Sequence, residues 1–179
     1  MRRALAAIVL ILPLTAMPAA AQELFGGVYV HAVDTPFTLD TGEHGTDIEL
    51  GYRFAPIEGL HAIGKPAPYL IASVNTAGDT SFAGAGLAWK IGKGPVYVRP
   101  GIGVVVNDAP SYRADPVTGY RTDLGSRVLF EPELAIGTQI NARLGIEASW
   151  VHVSHARLFN SQQNPGIDMM GVRLTYKLH

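Results

Sequence analysis

Cysteine is absent from this 179-residue chain, which excludes a disulfide framework and any thiolate chemistry. An excess of basic residues is also absent, because 14 lysines and arginines stand against 15 aspartates and glutamates. The sequence therefore gives no indication of a nucleic-acid partner. After residue 21, no stretch approaches the ~20 uninterrupted apolar residues that a membrane-spanning helix needs. Amphipathic helical spacing is equally scarce, so the chain is not predicted to be helical.

The first 21 residues contain the three parts of an export signal in their usual order. Two arginines follow the initiating methionine, residues 4–16 form a short apolar core, and residues 19–21 are three alanines at a small-residue cleavage site. The apolar core is too short to be a membrane anchor. We expect residues 1–21 to be a cleaved signal peptide and residues 22–179 to form a single domain.

Alternation of apolar and polar residues recurs throughout the remaining chain. It is clearest in one segment, whose apolar face consists of Val128, Phe130, Pro132, Leu134, Ile136 and Ile140. Side chains alternate between the two faces of a strand, so this period of two predicts β-structure. Bounded by Gly, Pro, Asn and Asp, the pattern predicts eight strands, at residues 24–33, 46–54, 67–75, 80–91, 95–106, 127–140, 142–154 and 168–178.

The polar face of these strands carries charges of both signs, interleaved with many of the 20 glycines. Its charged members are Glu49, Arg53, Arg99, Glu131, Glu133, Arg143, Glu147, Arg173 and Lys177. Such a face suits a narrow barrel interior filled by ion pairs, which leaves the apolar face to meet lipid. With an export signal, this pattern predicts an all-β, eight-stranded antiparallel transmembrane β-barrel of the outer membrane. The alternative is a soluble periplasmic lipid-binding β-barrel with its two faces inverted.

Connection lengths orient the predicted barrel, because outer-membrane barrels have short periplasmic turns and longer outer loops. The outer connections are expected at residues 34–45, 76–79, 107–126 and 156–167, and the inner ones at 55–66, 92–94 and 141. The long inner segment 55–66 departs from the rule, and the pattern offers no explanation for it. In this orientation the end of strand 142–154 lies near the outer leaflet.

Three polar residues interrupt the apolar, lipid-facing side of the last two strands. His152 and Ser154 share a face with Trp150, and Asp168 has the same outward parity on the adjacent strand. A serine, a histidine and a carboxylate are the components of acyl-transfer chemistry, as nucleophile, general base and orienting acid. The alternative is that a strand simply loses its apolar pattern where it leaves the membrane. Other histidines, namely His31, His44 and His61, have no metal-ligand spacing and are expected to be solvated rim or loop residues.

The C-terminal residues also resemble a known family. His152-Val153-Ser154, the segment Asn164-Pro165-Gly166-Ile167-Asp168 and the closing strand MMGVRLTYKL are similar to the signature of the PagL family of lipid A deacylases. That resemblance implies an outer-membrane barrel that hydrolyses the ester-linked acyl chain at the 3-position of lipid A. It implies Ser154 as the nucleophile, His152 as the general base and Asp168 as the acid.

The resemblance also implies roles for two further residues and shows two departures. Asn164 matches a family asparagine that helps to stabilise the oxyanion. His155 stands where the family has a second asparagine. Loss of one oxyanion donor costs about 100- to 1000-fold in turnover, unless the imidazole of His155 or a backbone N–H supplies the hydrogen bond instead. The family acid is typically glutamate, so Asp168 is one carbon shorter. A catalytically impaired barrel with a structural or lipopolysaccharide-binding role is therefore the alternative function.

The expected partner is lipid A, or whole lipopolysaccharide, in the outer leaflet of the outer membrane. Cationic residues of the outer loops, Arg157, Arg113 and Arg121, are candidates to contact its phosphates, the alternative being an ordinary charged loop. The proposed chemistry needs no metal and no organic cofactor, and a homodimer is left open.

Overall fold

The computed structural model describes residues 22–36, 38, 41–109, 113–114, 121–122, 124–156 and 165–178. Its elements are almost entirely strands. They are β1 (Glu23–Val30), β2 (Thr46–Arg53), β3 (Ala67–Asn75), β4 (Phe82–Ala88), β5 (Val96–Asn107), β6 (Arg113–Ala114), β7 (Arg121–Thr122), β8 (Val128–Gln139), β9 (Leu144–Ser154) and β10 (Gly166–Lys177), with one 3₁₀ helix at Glu58–Ile63. No helix in these ranges is long and apolar enough to cross a membrane.

Eight of the strands form one closed antiparallel barrel, in the order β1-β10-β9-β8-β5-β4-β3-β2. The barrel closes between the first and last strands, where Glu23 pairs with Lys177 and Val30 pairs with Met170. The predicted eight-stranded transmembrane barrel is therefore confirmed. The short strands β6 and β7 form a separate hairpin within the long outer connection, a segment that the sequence pattern predicted to be loop.

The outer surface of the barrel is apolar, as the alternation predicted. Side chains that are half to two-thirds exposed include Val28, Leu50, Ile102, Leu134, Val172 and Leu174. A closed barrel satisfies its backbone hydrogen bonds between strands, so an apolar exterior of this kind suits hydrocarbon. The soluble alternative, which needs the apolar face inside, does not fit this distribution.

The interior contains the expected ion-pair network. Arg173 is completely buried and donates to Glu147 at 2.6 Å and to Glu133 at 2.7 Å. Arg99 donates to the same Glu147 at 2.8 Å, and Arg53 donates to Glu23 at 2.6 Å. Each cation thus contacts a carboxylate, which is the condition under which buried charges are tolerated. Arg143, which was assigned to this polar face, is instead exposed.

Toward the outer end the polarity of the wall inverts. Val151, Val153, Ile167 and Met169 are buried inside the barrel in one apolar cluster. Their neighbours in sequence, which include His152, occupy the outer side of the wall. Near the outer rim, the strands therefore place apolar side chains inside the barrel and polar side chains outside it.

The inner segment that the sequence left unexplained forms the 3₁₀ helix at the end of the barrel where the chain termini lie. The helix ends at Gly64, whose positive φ of 89° is a left-handed cap that favours glycine. Trp89 fastens this segment to the barrel, since its indole N–H donates to the carbonyl of Ile63 at 2.7 Å. The inner connection between β2 and β3 is therefore an ordered segment that packs against the barrel.

Candidate active site

Three polar residues meet on the outer wall at the end of β9. Antiparallel pairing of β9 with β10 sets Asp168 directly opposite His152, and Gly166 opposite Ser154. The His152 Nδ1 atom lies 2.9 Å from Asp168 Oδ1, and its Nε2 atom lies 2.9 Å from Ser154 Oγ. The structure therefore brings the predicted serine, histidine and aspartate together in one hydrogen-bonded chain, even though the aspartate is the shorter acid.

The chemistry of these groups fixes the direction of the hydrogen bonds. A carboxylate only accepts, so the imidazole carries its proton on Nδ1 and donates it to Asp168. A neutral imidazole with Nδ1 protonated has a free lone pair on Nε2. In that tautomer Nε2 can accept from the hydroxyl of Ser154, 2.9 Å away, which is the arrangement of a general base in contact with a nucleophile.

The carboxylate of Asp168 has further partners on both oxygens. The indole N–H of Trp150 donates to Oδ1 at 2.8 Å. The hydroxyl of Thr35 donates to Oδ2, and so does the hydroxyl of Thr38 at 3.1 Å. With His152, four described side chains therefore donate to this carboxylate, and rotation about its side-chain bonds would break several of them at once.

The triad is packed tightly. Asp168 is 1% exposed and Ser154 is 5% exposed, whereas the side chain of His152 keeps 13% of its surface accessible. Gly166 leaves the space that the imidazole occupies, since a Cβ atom there would lie 2.7 Å from His152 Cε1 and 3.1 Å from Thr38 Cγ2. A glycine opposite the serine is therefore a steric requirement for the observed position of the imidazole.

The other predicted site residues are not members of this triad. His155 lies just beyond the end of β9 and is completely buried. Asn164 and Arg157 lie outside the described residues. The backbones of Arg113 and Arg121 lie in the hairpin β6–β7, where Arg113 pairs with Thr122 and Arg121 with Ala114.

His31 differs from the sequence-based expectation of a solvated rim residue, which was wrong. It is 3% exposed and lies just beyond β1, with Nδ1 2.7 Å from Asp47 and Nε2 2.8 Å from Glu43. Burial alone would lower the pKa of His31, but these two carboxylates raise it to about 9. Glu43 also accepts from the backbone N–H and the hydroxyl of Thr80, so Glu43 ties the β1–β2 loop to the β3–β4 turn. No group of three or more histidine and carboxylate side chains in the described ranges has the arrangement of a metal site.

Comparison with known proteins identifies the family of the chain. The sequence profile of the lipid A 3-O-deacylase (PagL) family matches residues 38–177. The chain belongs to the lipid A 3-O-deacylase family. The match includes Ser154, His152 and Asp168, and it confirms the family that the C-terminal motif indicated.

Solved structures show the same fold at low sequence identity. The crystal structure of the outer membrane enzyme PagL has a TM-score of 0.57 and 15% identity, covering 86% of this chain and 98% of that chain. The crystal structure of Neisserial surface protein A (NspA) has a TM-score of 0.57 and 8% identity, covering 88% of this chain and 97% of that chain. No curated protein matches the chain in sequence. These likenesses concern the small outer-membrane barrel fold alone.

Sequence reasoning missed the residues that hold the acid in this family member. Thr35 and Thr38 lie in a connection that carries no strand pattern, 133 and 130 positions from Asp168. Their contact exists only because β1 closes the barrel against β10. Trp150 had a usable signal, because it shares the outward face with His152 and stands opposite Met170, two residues from Asp168 on β10.

Proposed function

We propose that this protein is an outer-membrane esterase that removes the ester-linked acyl chain at the 3-position of lipid A. The observation that carries the proposal is the hydrogen-bonded chain from Ser154 through His152 to Asp168 on the lipid-facing side of the barrel wall. Membership of the lipid A 3-O-deacylase family supports the same substrate class. An outward-facing nucleophile is what a membrane lipid requires, because such a substrate reaches the protein from the bilayer and not from the barrel interior.

The proposed reaction has two steps. Ser154 Oγ attacks the ester carbonyl carbon while its proton passes to His152 Nε2. The bond between that carbon and the sugar oxygen breaks, the imidazole returns the proton to the departing hydroxyl group of lipid A, and an acyl-enzyme remains. Water then attacks the acyl-enzyme with the same imidazole as base, which releases the fatty acid and restores Ser154. Asp168 keeps the imidazole in the required tautomer and orientation.

The position of the triad suits an ester at interfacial height. Ser154 is the last residue of β9, and the exposed outer wall below it is apolar, with Leu134, Met170 and Val172 each roughly half exposed. The acyl chain can therefore remain in hydrocarbon beside these residues while its ester reaches the serine. A soluble ester would gain nothing from this wall.

Oxyanion stabilisation is assigned to Asn164 on the basis of the family motif. A carboxamide N–H that donates to the developing oxyanion is a common way to stabilise such a transition state. His155, the other candidate, is completely buried just beyond the end of β9, so we assign it as the weaker donor.

The outer-loop cations complete the proposed substrate site. Arg113 and Arg121 belong to the connection between β5 and β8, on the side of the barrel where Ser154 lies, and Arg157 follows Ser154 by three positions in sequence. Guanidinium groups bind phosphates through paired hydrogen bonds, and lipid A carries phosphates on its sugars. We assign these arginines to headgroup recognition.

Export by a cleaved signal peptide completes the proposal. Residues 1–21 would direct the chain out of the cytoplasm, and the mature protein would begin at Gln22. The intact mass of the protein purified from the outer membrane of a Gram-negative host tests this directly, because retention of the first 21 residues would change the mass.

The decisive experiment is the mass spectrum of lipid A from a Gram-negative host that expresses the chain, beside a Ser154→Ala variant. Loss of one hydroxyacyl group with the wild type alone supports both the reaction and the nucleophile. Unchanged lipid A, with the barrel shown to be folded in the outer membrane, would contradict the proposal. That result would favour a catalytically impaired barrel with a structural or lipopolysaccharide-binding role.

A further inference from the structure

The connection between β1 and β2 reaches across the barrel rim to the acid of the triad. Thr35 and Thr38 both donate hydroxyl hydrogen bonds to Asp168 Oδ2. The two hydroxyl groups also lie 3.4 Å from each other, so they converge on one carboxylate oxygen. Both residues lie outside the barrel strands, so neither is itself a paired partner of β10.

A local irregularity in the backbone directs this connection toward β10. In the regular register Val30 pairs with Met170, so residue 32 would come opposite Asp168. The backbone N–H of Val33 instead donates to the Asp168 carbonyl at 2.8 Å, which shows one extra residue on the β1 side. Ala32 has a positive φ of 51°, an uncommon conformation for a residue other than glycine. Such bulges redirect the chain and often lie beside functional sites.

The two carboxylate oxygens of Asp168 have different hydrogen-bond partners. Oδ1 faces the site, where it accepts from His152 at 2.9 Å and from Trp150 at 2.8 Å. Oδ2 faces the β1–β2 connection, where it accepts from Thr35 and Thr38. The two threonines therefore restrain the carboxylate from the side opposite to the imidazole. Without them, only the indole N–H and the imidazole among the described side chains would hold its orientation.

We propose that Thr35 and Thr38 are positioning residues, which hold the Asp168 carboxylate and through it the imidazole of His152 in line with Ser154. The β1–β2 connection is thus part of the catalytic apparatus, through its contacts with Asp168. This inference rests on the proposed function, since it assigns a role within the same triad.

The test compares purified variants in detergent micelles. Thr35→Val and Thr38→Val, singly and together, remove the hydroxyl groups with little change in volume, and Thr35→Ser with Thr38→Ser restores the donors. Thr76→Val is the matched control, because the Thr76 hydroxyl also donates at the outer end of the barrel, to the Thr46 carbonyl at 2.8 Å, but lies in the β3–β4 turn. The measured quantities are kcat and KM for lipid A and the thermal unfolding midpoint of each barrel.

A second measurement does not depend on lipid A. A fluorophosphonate reacts with an activated serine: the bond from Ser154 Oγ to phosphorus forms, the P–F bond breaks, fluoride leaves and His152 takes the proton. The rate of this labelling reports on the alignment of the triad whatever the natural substrate is. It separates failure of the positioning role from failure of the proposed substrate.

The double Val variant is expected to lower kcat and the labelling rate together by roughly 10- to 100-fold, with KM within about twofold, as for a misplacement of about 1 Å. In the double Ser variant, kcat and the labelling rate should recover to within about threefold of the wild-type values. Thr76→Val should have the wild-type values of both. Unchanged rates in a folded double variant, or Ser variants no better than Val, would overturn the inference. If the double variant does not fold, the Thr38→Val single variant decides in the same way.

Two outcomes for the wild type are also informative. Labelling of Ser154 without deacylation of lipid A would refute the substrate assignment, while the same variant series would still decide the positioning role. Absence of labelling in the folded wild type would overturn the nucleophile and the positioning role together.

Discussion

Asp168 and His152 are direct partners in the antiparallel register of β9 and β10, and their side chains are joined at 2.9 Å on the outer side of the wall. Facing partners in adjacent strands share a side of the sheet, so the pairing of β9 with β10 also assembles the acid–base pair. The position of the acid is therefore fixed by backbone hydrogen bonds as well as by its own contacts.

Replacement of Asp168 by asparagine should lower kcat by about 10⁴-fold with the barrel intact. The carboxamide can present its NH₂ group to Nδ1, which would move the imidazole proton to Nε2 and remove the acceptor for Ser154. Asp108→Asn is the control, because the Asp108 carboxylate accepts from the Ser81 N–H at the rim of the barrel. Turnover of lipid A by purified protein measures the effect, and a loss below tenfold would contradict the assigned role of Asp168.

A methyl group at position 166 should displace the imidazole. The added Cβ of Gly166→Ala would lie 2.7 Å from His152 Cε1, the ring atom between the two nitrogens that bond Asp168 and Ser154. We expect kcat to fall by roughly 100-fold, since a shift of about 1 Å in a reacting group has that scale. Gly59→Ala is the control, because nothing lies within 4 Å of a Cβ atom there. Equal activities of the two variants would show that the ring accommodates the methyl group.

The oxyanion donors can be separated by two substitutions. Asn164→Ala is expected to lower kcat by about 100- to 1000-fold. His155→Asn should change kcat by less than about threefold, because the His155 side chain is completely buried and is the weaker of the two assigned donors. Steady-state kinetics with lipid A distinguishes the two. A large loss in His155→Asn, with an unchanged unfolding midpoint, would assign the oxyanion to His155 instead.

Removal of Arg173 should destabilise the barrel without touching the triad. Arg173→Met would leave Glu147 and Glu133 without their contacts at 2.6 and 2.7 Å. Breaking a buried ion pair from one side costs about 3–5 kcal/mol, whereas Arg143→Met on the exposed surface should cost below about 0.5 kcal/mol. Urea unfolding in lipid vesicles measures both free energies. Similar values for the two variants would mean that the interior network contributes little.

Because of His31, the barrel should lose stability as the pH becomes alkaline. Its pKa is raised from 6.5 to about 9 in the folded protein, with Asp47 of β2 and Glu43 of the β1–β2 connection as the charged groups against it. A raised folded-state pKa contributes stability that is complete below about pH 6.5 and is lost as the pH rises through about 9. A shift of this size corresponds to roughly 3 kcal/mol.

The expected result is that His31→Gln is less stable than the wild type at pH 6 and that this difference shrinks by pH 10. Thermal unfolding midpoints across this pH range give the measurement. His44→Gln is the matched control, since the His44 side chain is 80% exposed and contacts Asp79 at 3.1 Å. A difference between wild type and His31→Gln that stays constant with pH would argue against a protonated His31.

The barrel could be predicted from the sequence because its physical cause is local and periodic. A strand that separates hydrocarbon from a narrow interior must alternate, and eight such segments were visible with ends within a few residues of the observed ones. The predicted first strand, 24–33, is too long, since β1 ends at Val30 and the bulge at Ala32 follows. The hairpin β6–β7 was missed because strands of two residues are too short to show a period.

The sequence by itself also determined which side of the wall each triad member faces, because parity along a strand follows from counting residues. The buried partners of His31 and the hydroxyl donors to Asp168 were decided by the tertiary structure alone. Thr35 and Asp168 are separated by 133 residues and meet where the first strand closes against the last. No periodicity along the chain encodes that contact, because it depends on the register of closure and on one extra residue beside Ala32. The local alternation of residues thus determines which side chains face inward and outward, whereas the hydroxyl contacts of Asp168 arise from closure of the barrel.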